Sequence, residues 1–340
     1  MALPGQVVLV LQGGGALGAY QLGVYEALRE AGIEPDWVIG TSIGAIGAAV
    51  IAGNRPEDRL PRLRELWQRF EQGDASALDT SKVFADFSAL VWGIPGFFSP
   101  RLPAWGGWKA NVGLDAASFY STAPLRETLA ELVVPQLLGR EIRLTVGAVN
   151  VTSGAMRYFD SRDEPITLDE VMASGALPPG FPAIRVNGEA YWDGGLSANP
   201  PVRPLLYECA ARDIVLVLLQ PARRPTLPLT ADGIWSRLTE MSFTAALHAE
   251  LEGIALAKRE AERSPWSLGR LERKLRRLKL HRICAPEATS TQSRLDTRSV
   301  FMQALYNAGR AQADAWLGQY ESPAAPARAI APVIAGAPPG

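Results

Sequence analysis

Ser42 stands in Gly40-Thr41-Ser42-Ile43-Gly44, a Gly-x-Ser-x-Gly pentapeptide between the apolar run Trp37-Val38-Ile39 and a series of small residues. That order predicts a strand, a sharp turn and a helix, with Gly40 and Gly44 letting strand and helix approach and the serine hydroxyl raised at the strand tip. Ser42 is the candidate nucleophile. In a chain with 32 glycines the pentapeptide alone says little, so its surroundings decide. A serine attacks an ester only when a base takes its proton and donors receive the negative oxygen that results.

Histidine is the usual base, and this chain has two, His248 and His281. The order Ser42, Asp193, His248 fits a histidine triad, yet both histidines stand among ordinary surface charges. The simpler arrangement pairs Ser42 with Asp193 directly. Asn187-Gly188 predicts a hairpin whose second strand ends in Trp192-Asp193-Gly194-Gly195, a carboxylate at a strand end followed by two turn-forming residues. A free aspartate, with a pKa of about 3.9, is a weak base, but enclosure in an apolar site raises its basicity. Donors for the oxyanion come from Gly13-Gly14-Gly15-Ala16, whose backbone N–H groups open a predicted helix. The same stretch, Gly13-x-Gly15-x-x-Gly18, also satisfies a dinucleotide-binding fingerprint. That reading needs an acidic residue near the end of the second strand. Here the strand ends in Gly40-Thr41-Ser42, and Asp36 lies at its beginning.

The elements that must hold these residues follow from periodicity. Val7 to Leu11 is continuously apolar, as a parallel strand covered on both faces should be. Tyr20, Val24, Ala27, Leu28 and Ala31 share one face of a helix that Gly32 stops. This β-α-β unit brings the glycine loop and Ser42 to the same carboxyl edge of a sheet. Later strands are expected at 142–151, 156–159, 214–219 and, as an edge, 280–284. Helices are expected at 202–211, 230–264, 266–278 and 299–317, and Thr167 to Glu170 is a capping box for a short helix.

Four blocks carry a family resemblance: Gly13-Gly14-Gly15-Ala16-Leu17-Gly18, Gly40-Thr41-Ser42-Ile43-Gly44, Ala173-Ser174-Gly175-Ala176-Leu177-Pro178 with Phe181-Pro182, and Asp193-Gly194-Gly195. In this order they resemble the signature blocks of patatin-like phospholipases, over roughly residues 6 to 220. The resemblance implies a three-layer α/β/α fold with a mostly parallel central sheet. It also implies Ser42 as nucleophile, Asp193 as base and Gly13, Gly14, Gly15 and Ala16 as oxyanion hole, without metal or organic cofactor. Leu17 departs from the pattern, since the family usually carries Arg or Lys there. The departure removes a cation from beside the loop and leaves the backbone donors untouched. The late helical region resembles the extension of a bacterial subgroup. The organisation expected is a catalytic domain over 6–220, a mainly helical C-terminal extension over 225–320 and a disordered tail over 322–340.

The expected function is that of a serine esterase acting on lipid acyl esters through an acyl-enzyme. An acyltransferase using the same serine and a non-catalytic lipid-binding module are the alternatives. Composition fits: 34 basic and 35 acidic residues nearly cancel, which gives no ground for nucleic-acid binding. Two cysteines, Cys209 and Cys284, are too few and too far apart for a disulfide framework or a metal knuckle, and suggest a reducing compartment. The amino-terminal apolar run lacks a positive region before it and reads as a strand, not a signal peptide. No run approaches the roughly 18 apolar residues of a membrane span. A cytoplasmic protein is expected, with peripheral membrane contact through the aromatic 84–120 loop or the basic helix at 266–280. For the loop the competing reading is a flap packed on the core, and for the helix a solvated face. The sequence leaves oligomeric state open.

Overall fold

The computed structural model describes residues 6–71, 93–94, 96–101, 111–208, 213–220, 227–263, 269–286 and 294–321. Its centre is an eight-stranded, mostly parallel sheet. Strand β1 (Val8–Leu11) pairs in parallel with β2 (Trp37–Gly40) on one side and β9 (Asp213–Leu218) on the other, and β10 (Lys279–Cys284) adds a parallel edge to β9. β2 continues in parallel into β5 (Arg143–Asn150), beyond which β6 (Met156–Asp160), β7 (Ile184–Val186) and β8 (Glu189–Asp193) are antiparallel. Two short strands, β3 (Ser99–Pro100) and β4 (Tyr120–Ser121), form a separate ribbon.

Alternation along the strands divides the core in two, because successive side chains point to opposite faces. Leu9, Leu11 and Val38 face α1 (Ala19–Glu30), α2 (Ile43–Ala52), α3 (Pro56–Phe70), α4 (Ala123–Leu132), α5 (Leu168–Ser174) and α9 (Ser299–Glu321). Val8, Val10, Trp37, Ile39, Ile214 and Leu216 face α6 (Arg203–Glu208), α7 (Ala231–Arg263) and α8 (Arg270–Arg277). The α/β/α layering expected from the sequence is therefore present. The termini of these helices follow local chemistry: Pro56 with Glu57 and Asp58 opens α3, and the Thr167 and Glu170 side chains form the capping box of α5.

One feature of the sheet prepares the site. β6 occupies one edge of β5 along Thr145–Val149. β2 pairs with β5 up to Gly40 opposite Val146, and β8 pairs with it down to Asp193 opposite Ala148. Since a strand has two edges, β2 and β8 must share the one that β6 leaves, end to end. Their carboxyl ends meet across Gly147.

The last third of the chain is woven into this sheet. β10 extends it, and α9 crosses α1 so closely that a methyl group on Gly23 or Gly309 would come within 2.1 Å of a backbone oxygen of the other helix. Arg310 pairs with Glu26 and Glu30 across the same contact. In the aromatic stretch, Phe97, Phe98 and Tyr120 pack on Phe181 with ring centroids 5.3 to 6.3 Å apart. Those residues behave as the packed flap, while Trp92, Trp105 and Trp108 lie outside the described residues. In the basic helix Lys274 bonds the Leu205 carbonyl and Arg276 the Ala261 carbonyl, so these two charges serve packing. Arg270, Arg273 and Arg277 remain exposed, and positions 266–268 of the expected helix lie outside the described residues.

Candidate active site

Ser42 occupies the turn between β2 and α2 with φ 56° and ψ −128°. A non-glycine residue rarely adopts a positive φ, and the strain costs on the order of 1–3 kcal/mol. Close packing of the turn imposes it. A methyl group on Gly40 would lie 2.3 Å from the Gly44 carbonyl oxygen, and one on Gly44 2.3 Å from that of Leu11. Glycine is thus needed at both places. The turn is held from below: the Ser42 N–H donates to the Ser174 carbonyl at 3.1 Å and hydroxyl at 3.2 Å. Ser174 Oγ in turn donates to the Gly147 carbonyl, 2.6 Å away, at the junction of the two strand ends.

Asp193 reaches the same point from β8. It is 1% exposed, and its Oδ1 accepts from the Gly195 N–H at 2.7 Å. The Ser42 side chain lies close enough to favour the charged form of the carboxylate. Burial dominates the balance and pushes the Asp193 pKa up to about 6, against the lowering effects of the Gly195 bond, the nearby Ser42 side chain and the Arg294 charge. A carboxylate of ordinary acidity thereby becomes a competent base near neutral pH. Gly194 lies against the β5 backbone, where a methyl group would meet the Gly147 oxygen at 2.2 Å.

The glycine loop approaches Ser42 from β1. A methyl group on Gly13 would lie 2.8 Å from Ser42 Cβ. Of the four N–H groups expected to receive an oxyanion, two already have acceptors. Gly13 donates to Asn199 Oδ1 at 2.6 Å, and Ala16 donates to the Arg294 carbonyl at 2.8 Å. Gly14 and Gly15 keep their N–H groups without an acceptor among the described residues.

Sequence reasoning missed three positioning residues. Asn199 grips both sides of Gly13, its Nδ2 donating to the Gly13 carbonyl at 3.1 Å. Gln12 ties the loop to β9 by accepting from the Leu219 N–H at 2.6 Å, and donates to the Asn199 carbonyl at 3.1 Å. Arg294 arrives from the segment before α9. Only the polar character of Gln12 after an apolar strand could have flagged any of them.

The histidines are elsewhere. His281 Nε2 lies 2.8 Å from Asp213 Oδ1 at the amino end of β9, the edge opposite Ser42. His248 lies on α7, where burial and then Arg282 lower its pKa. Asp36 is also at the amino edge, accepting from the Val7 N–H at 2.7 Å, too far along the sheet to serve a nucleotide at the glycine loop. Among the described residues no group of three or more His, Cys, Asp or Glu side chains could hold a metal ion, and no helix is long and apolar enough to cross a membrane.

Comparison with known proteins adds a family. A family model described as patatin-like phospholipase matches residues 9–206. The lysophospholipase NTE1 of Cryptococcus neoformans var. neoformans serotype D is 29% identical over 215 residues, covering 62% of this chain and 11% of that protein. The cGAMP-activated phospholipase of Pseudomonas aeruginosa is 28% identical over 213 residues, covering 58% of this chain and 55% of that protein. The chain thus spans from about a tenth to about half the length of these curated relatives. Among solved structures, VipD from Legionella pneumophila aligns with a TM-score of 0.44 at 18% identity, over 93% of this chain and 67% of that one.

Proposed function

Because the chain belongs to the patatin-like phospholipase family, we infer that it hydrolyses acyl esters of lipids with Ser42 as nucleophile and Asp193 as its base. As the Ser42 oxygen attacks the ester carbonyl, its proton passes to the Asp193 carboxylate. The negative charge left on the carbonyl oxygen is received by the Gly14 and Gly15 N–H groups. Collapse expels the alcohol, which takes the proton back from Asp193 and leaves an acyl group on Ser42. Water then attacks the acyl-enzyme, giving its proton to Asp193, and the fatty acid leaves as Ser42 recovers its proton.

The observation that carries this reading is the meeting of Ser42 and Asp193 at the facing ends of β2 and β8: a serine held at positive φ beside a carboxylate whose burial raises its basicity. Ser42→Ala and Asp193→Asn variants are expected to lose about a thousandfold or more in the hydrolysis of a short-chain nitrophenyl ester. Two folded variants as active as the parent would overturn it.

Peripheral contact with an anionic lipid surface belongs to the same proposal. Arg270, Arg273 and Arg277 recur at spacings of three and four, which puts them on one exposed face of α8. Such a face attracts acidic headgroups by charge, by about 1 kcal/mol per residue near the membrane surface.

A further inference from the structure

The loop that should cradle the oxyanion carries Leu17 where a cation is usual, and Leu17 is 2% exposed in the core. A cation nevertheless stands at the site, from a part of the chain about 280 positions away. Arg294 lies in the short segment leading into α9. Its carbonyl takes the Ala16 N–H, and its Cβ would be 3.3 Å from a methyl group placed on Gly15. The guanidinium carbon lies 4.7 Å from the ring centre of Phe243, on α7. The edge of that ring would in turn meet a methyl group on Gly195 at 3.2 Å. Gly15, Arg294, Phe243, Gly195 and Asp193 therefore form a continuous run of contacts from the glycine loop to the Asp193 carboxylate.

The guanidinium is largely buried, and burial works against its charge. Two carboxylates act on it through space, Glu240 and Asp193. Glu240 also pairs with Arg237 at 3.1 Å. None of the hydrogen bonds among the described residues uses an N–H of the Arg294 side chain. Such a group presents five donors in a planar fork that suits the oxygens of a phosphoryl group, and here it loses solvation without a hydrogen bond in return among the described residues. A side chain that served only as counter-charge would need none of this fork to be free. A side chain that waits for an oxyanion would.

We propose that Arg294 forms an anion subsite beside the dyad and binds the phosphoryl group of a lipid headgroup, so that a segment of the C-terminal extension selects phosphate-bearing acyl esters over uncharged ones. The inference rests on the lipid-hydrolase reading above and names its substrate class. Phe243 fixes the plane of the guanidinium through its ring face, and the Ala16 to Arg294 backbone bond holds the cation at a fixed place relative to the oxyanion loop. The ester and the phosphoryl group of one glycerolipid could then be engaged together.

The test is a binding measurement on the full-length chain carrying Ser42→Ala, so that turnover does not intervene. Its probes are a short-chain lysophosphatidylcholine below its micelle concentration, the monoacylglycerol of the same chain, and inorganic phosphate alone. The readout is the ratio of affinities for the first two. The account expects the phosphate-bearing probe to bind tighter, and Arg294→Gln to lower that ratio by about tenfold or more. Arg294→Lys, which keeps the charge but not the fork, should fall between. Thermal melts of all variants report whether they fold.

A ratio unchanged by Arg294→Gln, or an equal loss for both lipids, would overturn the proposal and leave Arg294 as a structural tie to Ala16. Inorganic phosphate bound as tightly as the lysolipid, with no preference between the lipids, would overturn it as well. Hydrolysis of a nitrophenyl ester by the parent chain, measured separately, reports on the dyad. Failure there would remove the hydrolase reading while the affinity ratio still answers for Arg294.

Discussion

The chemistry assigned to Ser42 and Asp193 makes opposite demands on activity and on stability. Asp193 must be ionised to accept a proton, so kcat/KM is expected to rise with pH through about 6 and to level off above it. The same shift acts on folding in the other direction. The folded state holds its proton to a higher pH than the unfolded chain does, so stability falls as the pH rises from about 4 to about 6 and stays lowered above that. Two pKa units correspond to about 3 kcal/mol. Asp193→Asn, which keeps the shape and removes the charge, should therefore raise the denaturant midpoint at pH 7.5 while abolishing activity, with up to about 3 kcal/mol gained. An unchanged or lower midpoint would show that the buried carboxylate is not a strained base. At this scale the sequence was informative wherever chemistry is local. The tight turn around Ser42 and the strand end at Asp193 can be read from a few neighbouring residues, whereas Arg294 and Asn199 act over long sequence distances and leave no pattern near the residues they hold.

At the scale of elements, Ser42 and Asp193 are brought together because β2 and β8 end against each other on one edge of β5. Alternation and hairpin chemistry predicted each strand, but strand order has no local signature, and the meeting of the two ends at Gly147 emerges only in three dimensions. Ser174 closes that junction, so Ser174→Ala should leave the fold intact and lower kcat by loosening the Ser42 backbone, by roughly the 1–3 kcal/mol of an unmade buried hydrogen bond. A variant with parental kcat would show that Ser174 does not position the nucleophile. Gly44→Ala is a harsher change, since its methyl group would meet the Leu11 carbonyl at 2.3 Å. Loss of at least about 3 kcal/mol is expected, read as a lower unfolding midpoint. In α8 the basic residues divide, with Lys274 and Arg276 turned inward to backbone carbonyls and three arginines left outside, and of its leucines Leu275 is buried while Leu271 is exposed. Reversing Arg270, Arg273 and Arg277 to Glu should weaken binding to anionic vesicles at low salt, and little should remain of the difference near 1 M salt, where screening is nearly complete.

At the scale of the whole molecule, the late segments do more than follow the catalytic part. β10 covers the edge of β9, α9 packs against the backbone of α1, and Arg294 reaches the glycine loop. A chain ending near residue 225 would expose the apolar face of α1 and an unpaired β9 edge, which is a template for aggregation. Insolubility of that fragment, against a soluble parent, is the expected outcome. The mainly helical character beyond 225 was legible, whereas the return of that region to the sheet and to the glycine loop was not, because one short strand and the segment before α9 make those contacts.

The central claim, a serine activated directly by an aspartate, is tested most directly by the rate and place of labelling with a fluorophosphonate ester, followed by peptide mass mapping. A single phosphonylated residue, Ser42, is expected, with a labelling rate that rises with pH through about 6 and a reaction slowed by at least about a hundredfold in Asp193→Asn. A label on another residue, or equal labelling of Ser42 in parent and Asp193→Asn, would contradict it.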